Sequence, residues 1–348
     1  WDIKEAINGD IYICGEFTSV SNSGVSVANT KGIARWSKAN KIWEAVGNPV
    51  TGATISFINC MAFDANGDLY VGGSFTNLAG IANADYFAKY TVSTNTWSAL
   101  GSGINNYINT IEIAPDGTIY IGGVFTSIGG NDNCNRIAYF NKVANKWSPL
   151  SAGLNGSVLA LKFAPDGKLL IGGQFTNADG ANGDYICWWD GSAFKSFTDL
   201  GASELSATGY VYAIDVTPDG TIVIGGQFTD IGGDATKKYL VKWGGANWES
   251  LGNAAPNLPV FAIRCETSGS ITISGSFLSI GNLTANRAAV YKNGAYQRLD
   301  VDLPGTTRYV YTIYEASDGS LYLGGNFSTI AEDPDENAVS GVVALNLN

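Results

Sequence analysis

Histidine is absent from all 348 residues. That absence excludes Ser–His and Cys–His catalysis, a His-ligated metal and an imidazole pH switch. Charge is scarce as well: 15% of the residues are charged, against roughly 25% in an ordinary soluble domain. The basic sign is the scarcer, with Lys+Arg at 20, Asp+Glu at 31 and a net charge of −11. Such a balance opposes general phosphate binding, and nucleic acid is not an expected partner. No apolar run of about 18 residues occurs, so no membrane insertion is expected. Cys14, Cys60, Cys134, Cys187 and Cys265 are odd in number and form no C-x-x-C pair. Buried thiols are therefore expected in preference to zinc or a disulfide. The sequence opens on Trp1 without Met or signal peptide, as a processed product or a piece of a longer chain would. What is abundant is glycine, at 44 positions, and aromatic residues, at 12%. With 45% hydrophobic residues, this is the profile of an all-β chain with many tight turns and a large aromatic core.

Gly-Gly-x-Phe-Thr recurs with small variations, and its phenylalanines are Phe17, Phe75, Phe125, Phe175, Phe228, Phe277 and Phe327. They stand 49 to 58 residues apart, which divides the chain into seven units. Eight residues before each lies a glycine: Gly9, Gly67, Gly117, Gly167, Gly220, Gly269 or Gly319. Within one unit, residues 210–216 alternate as a strand and Pro218-Asp219-Gly220 is a turn whose glycine supplies a positive φ. Residues 221–228 read as a second, mostly apolar strand, 239–243 as a third and 248–251 as a fourth. Four antiparallel strands repeated seven times predict a seven-bladed β-propeller. Its repeats run over approximately 1–47, 48–101, 102–151, 152–201, 202–252, 253–300 and 301–348, as a single domain. The last blade is incomplete, because 342–347 supplies a third strand and no fourth follows.

Two aromatic columns support this reading. Third strands end on Trp36, Tyr90, Phe140, Trp189, Trp243, Tyr291 and Leu345, and fourth strands carry Trp43, Trp97, Trp147, Phe194, Trp248 and Tyr296. Large rings in register suit packing between neighbouring blades. The phenylalanine column, with Trp43, Trp97, Trp147 and Trp248, is the expected structural core. The paired glycines inside the second strands weaken a strand, so a close backbone approach or a bulge is expected there. A phosphate cradle would need a helix after the glycines, and another strand follows instead.

A glycine doublet ending the second strand, followed by an aromatic residue and a tryptophan seven positions on, resembles the kelch repeat. Residues 90–97, from Tyr90 to Trp97, carry that likeness most closely. The Gly-Gly-x-Phe-Thr variant resembles repeats of secreted bacterial proteins, large-virus proteins and fungal cortical polarity markers. The resemblance implies the propeller fold of the galactose-oxidase central domain, and for function a binding scaffold. Galactose oxidase itself needs copper-ligating histidines, which are missing. Cys14 and Ser274 depart from the pattern by replacing first glycines.

In a propeller the 1–2 and 3–4 turns share one face, and the 2–3 and 4–1 connections share the other. The second set is longer and varies, notably over 48–57, 101–107, 198–209, 252–259 and 300–308, so a site is expected there near the central channel. Asp333, Asp335 and Asn337 have the spacing of the first three EF-hand ligands, without the later Gly and Glu. They read as a solvated acidic loop first and as a Ca2+ site second; no other cofactor is expected. Asp179, Asn182 and Asp184 form a weaker set. Asp85, Asn135, Asp184 and Asn286 recur at one position and read as turn caps. Of three glycosylation sequons, at Asn155, Asn282 and Asn326, the last falls in the strand core.

The leading expectation is a non-enzymatic binding, adhesion or surface-decoration module, extracellular, on a cell surface or on a virion. It would recognise a protein or glycan ligand through the 2–3 and 4–1 loop face. The alternative is a carbohydrate-active propeller, either a lectin with exposed aromatics or a glycosidase with two carboxyls roughly 5–9.5 Å apart. The apolar third strand of the last unit would be an open edge, so a neighbouring chain or flanking sequence is expected to complete that blade.

Overall fold

The computed structural model describes residues 1–101, 103–178, 184–200, 202–203, 205, 209–299, 309–327 and 341–345. The fold is a seven-bladed β-propeller of antiparallel sheets. Its residues gather into two compact units. Trp1–Gly153, with the turn Ala316–Ser320, makes the first. Blade one there consists of Asp2–Glu5, Ile11–Cys14, Ile33–Ser37 and Ile42–Glu44. Blade two is Thr54–Phe63, Leu69–Thr76, Phe87–Thr91 and Thr96–Ser98. Blade three is Ile108–Ile113, Ile119–Gly123, Ile137–Asn141 and Lys146–Pro149. The 48–57 connection is shorter than the sequence suggests, since the first strand of blade two already starts at Thr54.

The second unit holds the other four blades. Blade four is Val158–Phe163, Leu169–Gly173, Ile186–Trp189 and Phe194–Ser196, followed by a 3-10 turn at Phe197–Leu200. Blade five is Val211–Val216, Ile222–Gly226, Leu240–Trp243 and Trp248–Ser250. Blade six is Val260–Cys265, Ile271–Gly275, Ala288–Lys292 and Ala295–Arg298. Blade seven has three strands among the described residues: Val310–Glu315, Leu321–Gly325 and Val342–Leu345. Within each unit the first strands of successive blades are neighbours, which makes the first strand the inner one.

All seven turn glycines have positive φ, from 79° to 88°. The glycine doublet has a steric explanation with two parts. In blades two to seven, the first strand shifts register against the second by one residue. At that bulge the inner strand's carbonyl crowds the second glycine: a Cβ on Gly226 would stand 1.9 Å from the oxygen of Tyr210, and one on Gly173 2.1 Å from that of Ser157. The first glycine makes room for the next blade, because a Cβ on Gly225 would lie 2.6 Å from a methyl of Val260. Ser274 is accommodated at that position by donating its hydroxyl to the carbonyl of Val310, 3.3 Å away.

Six cross-strand aromatic pairs mark the outer half of the blades: Trp36–Trp43, Tyr90–Trp97, Phe140–Trp147, Trp189–Phe194, Trp243–Trp248 and Tyr291–Tyr296. Their ring centres lie 5.0–5.5 Å apart. The columns pair within a blade and also pack between blades: Trp147 stands edge-on to Phe87 of blade two at 5.2 Å, and Trp248 lies 4.8 Å from Phe197, which follows blade four. The polar edge adds hydrogen bonds to the preceding blade: Trp97 Nε1 donates to the carbonyl of Val46 (2.9 Å) and Trp147 Nε1 to that of Leu100 (3.1 Å). The Tyr296 hydroxyl donates likewise to Leu251.

Phe75, Phe125, Phe175, Phe228, Phe277 and Phe327 are buried, as are Trp43, Trp97, Trp147 and Trp248. Phe17 corrects the expected column, being only half-buried. Phe125 and Phe228 share their clusters with Ile104 and Leu205, which stand just ahead of the first strand of the same blade. All five cysteines are free thiols and four are buried.

Candidate functional site

The 2–3 and 4–1 connections meet at one end of the blades. Short bridges join them at Ile104 and Ile128, Leu154 and Ala178, Leu205 and Ile231, and Pro256 and Ile280. A recurring asparagine fixes this meeting. The Asn155 side-chain oxygen accepts the amides of Thr176 (2.9 Å) and Asn177 (3.1 Å), and its nitrogen donates to the Thr176 hydroxyl (3.0 Å). Asn105 and Asn257 accept the equivalent amides. Each stands 20 positions before its phenylalanine. That signal lay in the sequence unread.

In blades two to seven the register shift leaves residues of the inner strand outside the ladder. In the first unit these are Ser56, Asn59 and Asn109, and the side chains of the two asparagines meet at 3.3 Å. In the second unit they are Leu159, Tyr212, Phe261 and Tyr311. A bulge re-aims a side chain that strict pairing would hold in the sheet. In blades five to seven the re-aimed residues are aromatic, and together with Tyr210 and Tyr309 they make a continuous belt. Tyr210 and Tyr212 lie 6.3 Å apart, Tyr212 and Phe261 5.5 Å, Phe261 and Tyr311 5.5 Å, and Tyr309 and Tyr311 5.9 Å, between ring centres.

The belt is neither core nor bare surface. Tyr309 is 39% exposed, and Tyr210, Tyr212, Phe261 and Tyr311 are half-buried. Burial raises the hydroxyl pKa of Tyr212 and of Tyr311, with a neighbouring tyrosine adding to each. Both phenols are therefore neutral donors at physiological pH. Tyr212 already donates to the Gln227 side-chain oxygen at 2.8 Å. Residues Gln227 and Asn326 fill the variable place of the Gly-Gly-x-Phe motif, and their amides bind the carbonyls of Tyr210 (2.8 Å) and Tyr309 (3.1 Å). An uncharged aromatic strip edged by amides suits apolar ring faces, with hydroxyl and amide groups to orient them.

Of the residues singled out from the sequence, Asp333, Asp335 and Asn337 lie outside the described residues, as do Asp179 and Asn182. Asp85 caps a turn as expected, its carboxylate accepting the Asn77 amide at 2.7 Å. Asn135 does not repeat that bond; its side-chain oxygen is buried without a partner among the described residues. Asn326 corrects the sequence reading: it lies just past the Leu321–Gly325 strand and is exposed, with its side chain accepting the Tyr309 amide at 2.7 Å. No group of three or more Cys, Asp or Glu suited to a metal occurs among the described residues. Burial pushes the thiols of Cys14 and Cys134 up to about 11, and those of Cys60, Cys187 and Cys265 upward as well. Such thiols are poor nucleophiles. Sequence reasoning missed the belt, although Tyr212, Phe261 and Tyr311 each stand 16 positions before their phenylalanine.

The family model described as the Rax2 C-terminal beta propeller domain matches residues 98–263, just under half of the chain. No curated protein sequence matches. Among solved structures, the extracellular domain of a hybrid two component system from B. thetaiotaomicron is similar with a TM-score of 0.61 and 13% identity. The alignment covers 98% of this chain and 37% of that one, so this chain spans little more than a third of that extracellular domain. A streptogramin B lyase is similar with a TM-score of 0.59 and 13% identity, covering 93% and 89%. The WD40 beta propeller domain of Doa1 follows at 0.57 and 12%, covering 93% and 88%. At these identities the likeness establishes the fold alone.

Proposed function

We propose that this chain is a binding module that holds a protein or glycan ligand against the 2–3 and 4–1 loop face and does not turn it over. The observation that carries this reading is the aromatic belt of Tyr210, Tyr212, Phe261, Tyr309 and Tyr311. Large rigid rings give contact area at small entropic cost, and their hydroxyls give direction. The lack of histidine and the raised thiol pKa values speak against a nucleophile–base pair. A place outside the cell is supported by the likeness to the extracellular domain of a two component system. The kelch-like character of the repeat is supported by the six aromatic pairs between third and fourth strands.

The test is retention of the purified chain on a glycan array and on intact cells with and without enzymatic deglycosylation. Loss of retention after deglycosylation assigns a glycan ligand; retention unchanged assigns a protein. The double variant Tyr212→Ala with Phe261→Ala is expected to lower retention about tenfold or more. Equal retention of that variant and the parent chain overturns the belt as the site. Release of reducing sugar from the retained glycan overturns the non-enzymatic reading and points to carboxylate-based hydrolysis.

A further inference from the structure

On the opposite side, where the 1–2 turns lie, blades four and five enclose a cleft of about 200 Å³. Leu170, Trp188, Phe197 and Trp243 form its apolar floor, and Asp166 and Lys168 stand at its mouth. The cleft follows from a local exchange of residue types. The cross-strand position taken by Leu170 and Trp188 is held by Tyr12 and Arg35 in blade one, and by Tyr70 and Lys89 in blade two. In those blades the long cation is paired, Arg35 with Glu44 and Lys89 with Asp68. Blade four moves its cation to Lys168 and puts an indole in the vacated place. The 3-10 turn after its fourth strand then inserts Phe197, edge-on to Trp188 at 4.9 Å and to Trp243 at 5.0 Å.

The mouth supplies the polar part. Lys168 Nζ lies 2.6 Å from Asp166 and 5.8 Å from the centre of the Trp188 ring. About half of each charged side chain is exposed. The pair therefore offers a carboxylate acceptor and ammonium donors side by side at the rim of an aromatic floor. A purely apolar guest would strip water from this ion pair and give nothing back. An anion would meet Asp166, and a cation would meet Lys168. A neutral ring with one C–H face and a hydroxylated edge replaces the lost water with hydrogen bonds while its face covers the indoles. The volume is below the 300 Å³ or so of a drug-sized pocket, which leaves room for one ring.

We infer that this cleft is a second binding site, separate from the aromatic belt, that takes a single neutral pyranose ring. The test is titration of the whole chain with methyl glycosides of common neutral hexoses and N-acetylhexosamines, read by the indole N–H resonances of Trp188 and Trp243. At least one glycoside is expected to shift both resonances saturably. Asp166→Ala and Lys168→Ala, both at exposed positions, should each weaken that binding about tenfold, whereas Tyr212→Ala in the belt should leave it unchanged. Silence of both resonances to every glycoside overturns the assignment. So does equal binding of cyclohexane-like probes, or a glycoside affinity that neither rim variant alters.

Discussion

Phe175 and Phe17 occupy the same place in the repeat, yet one is fully enclosed and the other half-buried. Phe175→Ala should cost about 3–5 kcal/mol in denaturant unfolding, and Phe17→Ala distinctly less, because only the first leaves a closed cavity. Equal losses would mean that Phe17 is covered in solution. A second comparison isolates one hydrogen bond. Trp97 and Trp43 are almost equally buried, but Trp97 Nε1 donates to Val46 while Trp43 Nε1 has no partner among the described residues. Trp97→Phe should therefore destabilise by about 1 kcal/mol more than Trp43→Phe in urea unfolding. At this scale the sequence was most legible where a residue type recurs at fixed spacing. It was least legible where the neighbour decides, since nothing in Phe17 itself sets it apart from the enclosed Phe175.

Elements carry the next set of consequences. The 1–2 turns are closed by carboxylates: Asp116 accepts the Thr118 amide at 2.8 Å and Asp318 the Ser320 amide at 3.1 Å. These backbone bonds hold both carboxyls below the usual range, and the Thr217 hydroxyl does the same for Asp219. A carboxyl depressed in the folded state stabilises fully above its unfolded pKa, near 3.9, and loses that contribution as pH falls through its lower folded value. The thermal midpoint should accordingly stay level between about pH 5 and 8, where no imidazole titrates, and fall below about pH 4. Asp219→Asn should make that fall shallower; a midpoint level down to pH 2 would contradict the turn bonds. The third strand of blade seven, Val342–Leu345, pairs with Leu321–Gly325. We propose that flanking sequence or a neighbouring chain adds a fourth strand beside it. In the isolated 348-residue chain its amides should exchange faster than those of Ile222–Gly226, and equal protection would make an added strand unnecessary. Blade number, strand order and the glycine doublet were all readable from periodicity. The bulge was only half readable, because the glycines announce crowding but not which side chain the inner strand turns out.

For the molecule as a whole, the governing quantity is its charge of −11. A chain of that balance should show no retention by double-stranded DNA in anisotropy measurements at low salt, where such binding is strongest. Saturable, salt-sensitive retention would reveal a basic patch that the overall balance conceals. The preference for the 2–3 and 4–1 face could be argued from loop length alone. The aromatic belt could not, since it arises only when inner strands of blades five, six and seven stand side by side.

The bulge has one more consequence, which concerns how such a chain changes over generations. Its glycines hold the backbone, while Asn59, Asn109, Leu159, Tyr212, Phe261 and Tyr311 sit outside the cross-strand ladder. Substituting one of these six breaks no backbone pairing and alters what the inner strand presents. Duplication of a repeat copies the whole hydrogen-bonding pattern, and a single later codon change gives the copy a different contact. The positions that fix the backbone pattern and the positions that set what the inner strand presents are thus different ones in the same repeat.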